Sequence, residues 1–391
     1  MPKVLRIINR FNLGGPTYNA AYLSKYMPDE FETLLVGGMH DETEKSSDFI
    51  LQNLSLNPVI IPEMKREINF KQDRIAYKKI KQLIQEFKPD IVHTHASKAG
   101  ALGRLAASNL NVKGIVHTFH GHVFHSYFGK MKTSFYKSIE RKLAKKSSNI
   151  IAISELQKRE LVETYKICSA EKVSVIPLGF DLDRFNSDIE NKRKSFRNKW
   201  KIKDDEIAVG IIGRIVPIKD HEFFIDVIEK VISRTKKRLR FLIIGDGENK
   251  QRIIDYIVKK NLTFTCVADE KAVITFTSWV TEVDVAIAGL DIVCLTSKNE
   301  GTPVSLIEAQ SGNKPVVSTK VGGIDNVVIK NKSALLSEVN DLNAYFNNLL
   351  KLTENDNLRA ELSNNGSQIR EKFSYNKLIK NMNELYCSIL S

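Results

Sequence analysis

Short runs of consecutive apolar residues alternate with amphipathic stretches of helical period along the whole chain. "KVLRII" leads into "TYNAAYLSKYM", "DIVHTH" into "AGALGRLAASNL", and "NIIAIS" into "ELQKRELVETY", with "GIVHTFH" and "VSVIPLG" as further runs. The pattern pauses at "DLDRFNSDIENKRKSFRNKW", a charged stretch that reads as a connection between domains. It restarts with "AVGIIGR", a helix from about His221 to Ser233, "RFLIIGD" and a helix after Glu248. "AVITFT", "DIVCLT", a helix carrying Glu308, and "PVVST" complete the second series. Val/Ile-rich runs without polar alternation are strands buried on both faces, as parallel sheets require. Two successive series of strand–helix units predict an α/β protein of two doubly wound domains with a cleft between them.

In open α/β sheets, ligands collect at the carboxyl ends of the strands. The residues directly after each run are Gly14 and Gly15, His95, His120, Arg214, Gly245-Asp246-Gly247 and Glu300. "GRIVPIKDH" sets Arg214 and Lys219 around a proline-containing turn, and two such cations suit a diphosphate: Arg forks onto two oxygens, while Lys brings a point charge. In "NEGTPVSLIEAQS", Thr302 is expected as the helix N-cap and Pro303 as the first helical residue. The amides around Val304 and Ser305 would then face a phosphate or sugar oxygen. Glu300 and Glu308 read either as a general acid and base or as two grips on one ligand, and spacing alone leaves both readings open.

Composition narrows the class. A chain of 391 residues has room for two domains, and 42% apolar with 27% charged residues describes a soluble globular protein. Four scattered cysteines without a C-x-x-C pair point to a reduced compartment. "MPKVLRIINRF" shows no signal-peptide pattern, and no run approaches the roughly 20 apolar residues of a spanning helix. A cytoplasmic protein is expected. The formal charge of +13 admits a nucleic-acid partner, but it also fits a solvated Lys-rich surface. "GKMKTSFYKSIERKLAKK" (129–146) has one apolar stripe and a basic face, which either packs on the core or rests on anionic headgroups. His93, His95, His117, His120, His122 and His125 crowd two strand ends, yet alternation along a strand separates neighbouring ligands, so no metal site is expected. Asp181-Leu182-Asp183 has the D-x-D pattern of metal–diphosphate sites, but its place in the connection makes it structural.

Taken together, the motifs resemble retaining GT-B glycosyltransferases of family 4, group 1. The resemblance rests on Glu300 and Glu308 as E-x7-E between "DIVCLTS" and "NKPVVSTKVGG", with "GRIVPIKDH", "IIGDGE", "VIPLGFD", the Gly14-Gly15 loop and "VHTFHGHVF" in the family's order. "HTHASKAGALGRLAA" with "HTFHGHVFH" is similar in particular to bacterial enzymes of capsule and envelope polysaccharide synthesis. It implies a GT-B fold with an acceptor-binding Rossmann-like domain over residues 1–190 and a donor-binding one over 191–373. The helix 374–391 would cross back onto the first. It further implies transfer of a hexose or N-acetylhexosamine from a nucleotide sugar (UDP-GlcNAc, UDP-GalNAc or UDP-glucose) without metal or other cofactor. The acceptor would be an oligosaccharide or a polyprenyl-diphosphate-linked saccharide at the cytoplasmic face of the membrane.

Residue by residue, the resemblance gives Arg214 and Lys219 the diphosphate and Glu308 the ribose. Glu300, with the backbone of Gly301, Thr302, Pro303 and Val304, takes the transferred sugar. Gly14, Gly15 and Gly245 would allow close approach to the donor, and Trp279 and Val280 would flank the base. His120 would sit by the reacting carbon, and His95 and His122 by the acceptor. The chain departs from the family at "FTSWV", at Asp220 in place of a common glycine, and at "GGIDNVV", which lacks the usual Glu. Two other classes remain: an epimerase acting on UDP-N-acetylglucosamine, which would carry acidic residues where this chain has histidines, and a nucleic-acid binder, which would need aromatic-interleaved basic patches.

Overall fold

The computed structural model describes residues 1–12, 14–39, 47–65, 67–121, 130–268 and 270–391. Two seven-stranded sheets organise it, and every strand pairing within them is parallel. The first contains β1 (Lys3–Arg10), β2 (Glu32–Gly38), β3 (Val59–Ile60), β4 (Ile91–His95), β5 (Gly114–Phe119), β6 (Asn149–Ala152) and β7 (Val173–Val175). Its order is β3-β2-β1-β4-β5-β6-β7, so the chain reverses direction across the sheet between β1 and β4. β4 and β5 are buried at every position, including His93, His95 and His117. A parallel sheet covered on both faces has no solvent side to receive polar residues, so each one there needs an internal partner.

This sheet belongs to a unit made of Met1–Phe180 and Phe373–Ser391. The returning helix, Tyr375–Leu390, is capped by the Ser374 hydroxyl, which accepts from the Lys377 amide. Leu378, Met382 and Tyr386 recur every fourth residue, which puts them on one helical face. That face is buried with Val4, Leu23, Phe31, Ile91, Val116, Ile151 and Ile176.

The second unit, Asp181–Lys372, holds β8 (Glu206–Ile212), β9 (Arg238–Ile244), β10 (Phe264–Thr265), β11 (Ile274–Ser278), β12 (Ile292–Leu295), β13 (Val316–Thr319) and β14 (Ala334–Ser337). The order is β10-β11-β9-β8-β12-β13-β14, with its switch point between β8 and β12. The units divide at Phe180/Asp181, ten residues before the expected 190/191. The charged stretch after Phe180 is not a bare connection. It forms a 3-10 turn, Asp183–Asn186, and a helix, Ile189–Lys199, that belong to the second unit. Two arginines anchor that helix: Arg193 and the buried Arg197 each reach one oxygen of Asp291, at 2.8 and 3.2 Å. Phe196 packs so tightly on Gly289 that a Cβ there would run into its ring.

Candidate active site

The switch point of the second sheet brings one expected cation, Lys219, and one expected carboxylate, Glu300, together. Gly213, directly after β8, has a φ of +152° that turns the chain into the loop carrying Arg214 and Lys219. The loop after β9 lies against it: Gly245 has φ +143°, and a Cβ there would run into the Gly213 carbonyl oxygen. Only glycine serves at such a backbone crossing. Lys219 ends a single 3-10 turn, Pro217–Lys219, and its Nζ lies 2.5 Å from Glu300 Oε1. The Ser297 hydroxyl donates to the same oxygen, also at 2.5 Å. Both donors thus fall on one oxygen, leaving Oε2 of Glu300 without a donor among the described residues. Arg214 is exposed and takes part in no ion pair among them.

The loop carrying Glu300 is held from behind. The Gly323 amide donates to the Glu300 carbonyl oxygen at 2.9 Å, and a Cβ at Gly322 or Gly323 would collide with the backbone of Glu300 or Gly301. Gly301 itself has open space where a side chain would go. The helix that follows is Val304–Ser311, with Pro303 as its N-cap and no capping side chain. This corrects the expected start. Pro303 keeps an extended ψ of 93° and its carbonyl accepts from Leu306 and Ile307, so the helix begins at Val304 and Thr302 stays outside it. The first-turn amides are thus uncapped by any side chain, as an anion receptor requires.

Glu308 lies on the same helix, half-buried. Burial pushes its carboxyl up to about 7, Asp284 adds to the rise, and Arg184 opposes it. Trp279 is 41% exposed and Val280 half-buried beyond β11, where Ser278 donates to Asp246 at 2.7 Å and so links the loops after β9 and β11. Lys298 pairs with Asp220 at 3.0 Å, the position where the family commonly has glycine. Asp220 has φ +50°, the left-handed conformation that glycine tolerates and aspartate next best.

In the first unit, Gly14 is the N-cap of the helix Gly15–Lys25, and the Thr17 hydroxyl closes the turn onto the Asn12 carbonyl. His120 follows β5, half-buried, with Nε2 2.9 Å from His95 Nδ1. His95, expected to meet the acceptor, is fully buried at the end of β4. Ala96 beside it holds φ +65°, strained for a residue with a Cβ and placed at the carboxyl end of the strand. His122 lies outside the described residues. Among those described, no three His, Cys, Asp or Glu side chains converge as metal ligands would. Sequence reasoning placed Asp246 at a strand end without giving it a role, and missed Ser297 and Arg184. Ser297 had a signal, being a polar residue just past a buried strand; Asp246 meets Ser278, and Arg184 acts on the charge of Glu308, only through the fold.

Comparison with known proteins follows the same division. Residues 13–184 match the family model described as Glycosyltransferase Family 4, and residues 192–369 match that described as Glycosyl transferases group 1. The chain belongs to the family 4, group 1 glycosyltransferases. Its relatives include an Escherichia coli enzyme named UDP-Gal:alpha-D-GlcNAc-diphosphoundecaprenol alpha-1,3-galactosyltransferase, 28% identical over 86% of this chain and 85% of the relative. The capsular polysaccharide biosynthesis glycosyltransferase CapM of Staphylococcus aureus is 24% identical, covering 85% of each chain. Among solved structures, Anabaena Alr3699/HepE in complex with UDP shares this GT-B fold at a TM-score of 0.81 and 18% identity, over 99% of this chain and 100% of that one. The glycosyltransferase therefore has the family's two domains, with the Lys219–Glu300 cluster at the switch point of the second.

Proposed function

We propose that this glycosyltransferase moves a hexose or N-acetylhexosamine from a UDP-sugar to a polyprenyl-diphosphate-linked saccharide, with retention at the anomeric carbon, in cell-envelope polysaccharide synthesis. The observation that carries the reading is the Lys219–Glu300–Ser297 cluster, with exposed Arg214 in the same loop as Lys219 and an uncapped helix start following Glu300. Arg214 and Lys219 bind the diphosphate and take up its developing charge, so neither metal nor cofactor is needed. Glu300 holds sugar hydroxyls with the backbone of Gly301 to Val304, Glu308 holds the ribose, and Gly245, Trp279 and Val280 border the base. Gly14 and Gly15 approach the phosphates, His120 attends the sugar, and His122 the acceptor. The bond from the sugar carbon to the diphosphate oxygen breaks as the acceptor oxygen bonds to that carbon on the same face. The leaving phosphate oxygen takes the acceptor's proton. The protein contributes positioning and charge stabilisation, not a covalent intermediate.

The UDP complex of a protein of like fold supports the nucleotide, and the E. coli relative's diphosphoundecaprenol substrate supports a lipid-linked acceptor. No helix among the described residues is long and apolar enough to cross a membrane. The helix Lys130–Lys146 supports peripheral contact at the cytoplasmic face: Arg104 pairs with Glu140 on its inner side at 2.7 Å, while Phe135 is 63% exposed and Lys142, Lys145 and Lys146 face solvent. The test incubates the protein with UDP-glucose, UDP-galactose, UDP-GlcNAc and UDP-GalNAc, each with a polyprenyl-diphosphate-linked saccharide and a chelator. Release of UDP with an α-linked product, seen by NMR, is expected for one donor. A β-linked product would refute retention, an epimerised sugar would indicate the epimerase, and loss of turnover on chelation would refute metal independence.

A further inference from the structure

Below His120, the first unit buries a group of polar side chains whose protons can be assigned by counting donors. Arg6, His93, His95 and Tyr386 are all fully buried. Arg6 donates from NH2 to the Tyr386 hydroxyl at 3.0 Å. A guanidinium accepts nothing, so the Tyr386 oxygen is the acceptor and its own proton is free to go elsewhere. It goes to His93 Nδ1, 2.6 Å away. His93 therefore carries its proton on Nε2 and donates to the Thr118 hydroxyl at 2.8 Å. This is the His93 tautomer that strands no proton, since the other would leave the Tyr386 O–H without an acceptor.

Next to it, His95 and His120 share one bond, Nδ1 to Nε2 at 2.9 Å, while His95 Nε2 and His120 Nδ1 are both buried without a partner. Burial holds His120 neutral, its pKa pushed down to about 3, and holds His95 neutral too, with His93, His120 and Arg6 adding to the shift. Two neutral rings carry two protons, one of which bridges them. The other sits either on His95 Nε2 or on His120 Nδ1. On His95 it would be a stranded N–H donor in the interior, in a ring 4.2 Å from the His93 ring and within the field of the Arg6 cation. A stranded donor there costs more than a bare lone pair. On His120 the N–H is buried as well, but in a residue only half-buried at the carboxyl end of its strand, whereas His95 is wholly enclosed.

We infer that His95 is a positioning residue, whose Nδ1–H fixes His120 as the Nδ1–H tautomer so that His120 meets the saccharide as a hydrogen-bond donor. The unpartnered His120 Nδ1 is then a donor kept for ligand, and His120 takes no proton in the reaction. This inference rests on the proposed placement of His120 beside the transferred sugar.

Long-range ¹H–¹⁵N NMR on the full chain with ¹⁵N-labelled histidine reads each tautomer directly. The expected result is a proton on Nδ1 of both His95 and His120, and on Nε2 of His93. A wild-type His120 protonated on Nε2 would overturn the inference without any variant. His95→Leu removes the donor; His120 should then shift toward Nε2–H, and KM for the UDP-sugar should rise about tenfold with kcat changed little, as for an interaction made equally before and during the reaction. His95→Asn places an amide N–H where Nδ1–H was, and should recover both the tautomer and most of the KM; a purely structural histidine would show no such split between the two variants. An unaltered His120 tautomer in His95→Leu overturns the positioning role. If the tautomers are as stated but His120→Ala turns over normally, the placement at the sugar fails, and the donor role fails with it.

Discussion

Two carboxylates that look alike in the sequence sit in opposite surroundings. Glu300 has two donors on one oxygen, whereas Glu308 is buried enough for its carboxyl to rise to about 7. The sign follows from that rise. An acid held above its ordinary range makes the folded chain lose stability as pH climbs from the carboxylate range toward about 7, and the loss then levels off. A ribose hydroxyl needs the ionised acceptor, so UDP-sugar affinity should improve between pH 6 and 8, by up to about tenfold. The UDP-sugar diphosphate does not titrate there, which makes calorimetric Kd values against pH a clean check. Glu308→Gln should flatten the profile, weaken binding at pH 8 and raise the unfolding midpoint there; a profile unchanged by the substitution would remove Glu308 from the ribose. Lys219→Ala should lower turnover by about 10²–10³ if, as proposed, its charge stabilises the leaving diphosphate. Near-normal steady-state rates in that variant would refute its role. The type of each residue was legible from the sequence. That Lys219 shares Glu300 with Ser297 was not, because Lys219 and Glu300 are 81 positions apart and meet only at the switch point.

At the scale of elements, the strands were legible because burial on both faces leaves an unbroken apolar run, and Gly245 because a glycine directly after a strand permits close backbone approach. The helix Ile189–Lys199 was not legible. Its charged surface has the composition of a linker, and only Phe196, Arg197 and Trp200 are buried near its end. What fixes it is Asp291, which accepts from Arg193, Arg197 and the Ala208 amide at once. Arg197→Ala should therefore cost about 1–3 kcal/mol: Arg193 still pairs with Asp291, but the Gly289 and Glu206 carbonyls lose their donor. Denaturant titration measures this; a loss under about 1 kcal/mol would mean that the helix is held by packing alone. The start of the helix Val304–Ser311 was read one residue early for a related reason. Threonine followed by proline fits a capped helix, but here the proline carbonyl itself starts the ladder.

For the whole molecule, the sequence order and the division into units disagree: residues 373–391 belong with residues 1–180. Deleting residues 374–391 strips Leu378, Met382 and Tyr386 from the first unit's core and removes the hydroxyl that bonds Arg6 and His93. Scanning calorimetry should then show the first unit melting at markedly lower temperature, while the second keeps its own transition and still binds UDP; a single unchanged transition would contradict this. The returning helix also sets an order of assembly during synthesis. Every residue of the second unit is translated before Tyr375, so throughout that time the first unit shows bare apolar surface beneath the place of its missing helix. Vectorial folding ordinarily completes the amino-terminal domain first. Here the first sheet to be translated is the last to be finished, and that interval is when the nascent chain most needs a chaperone.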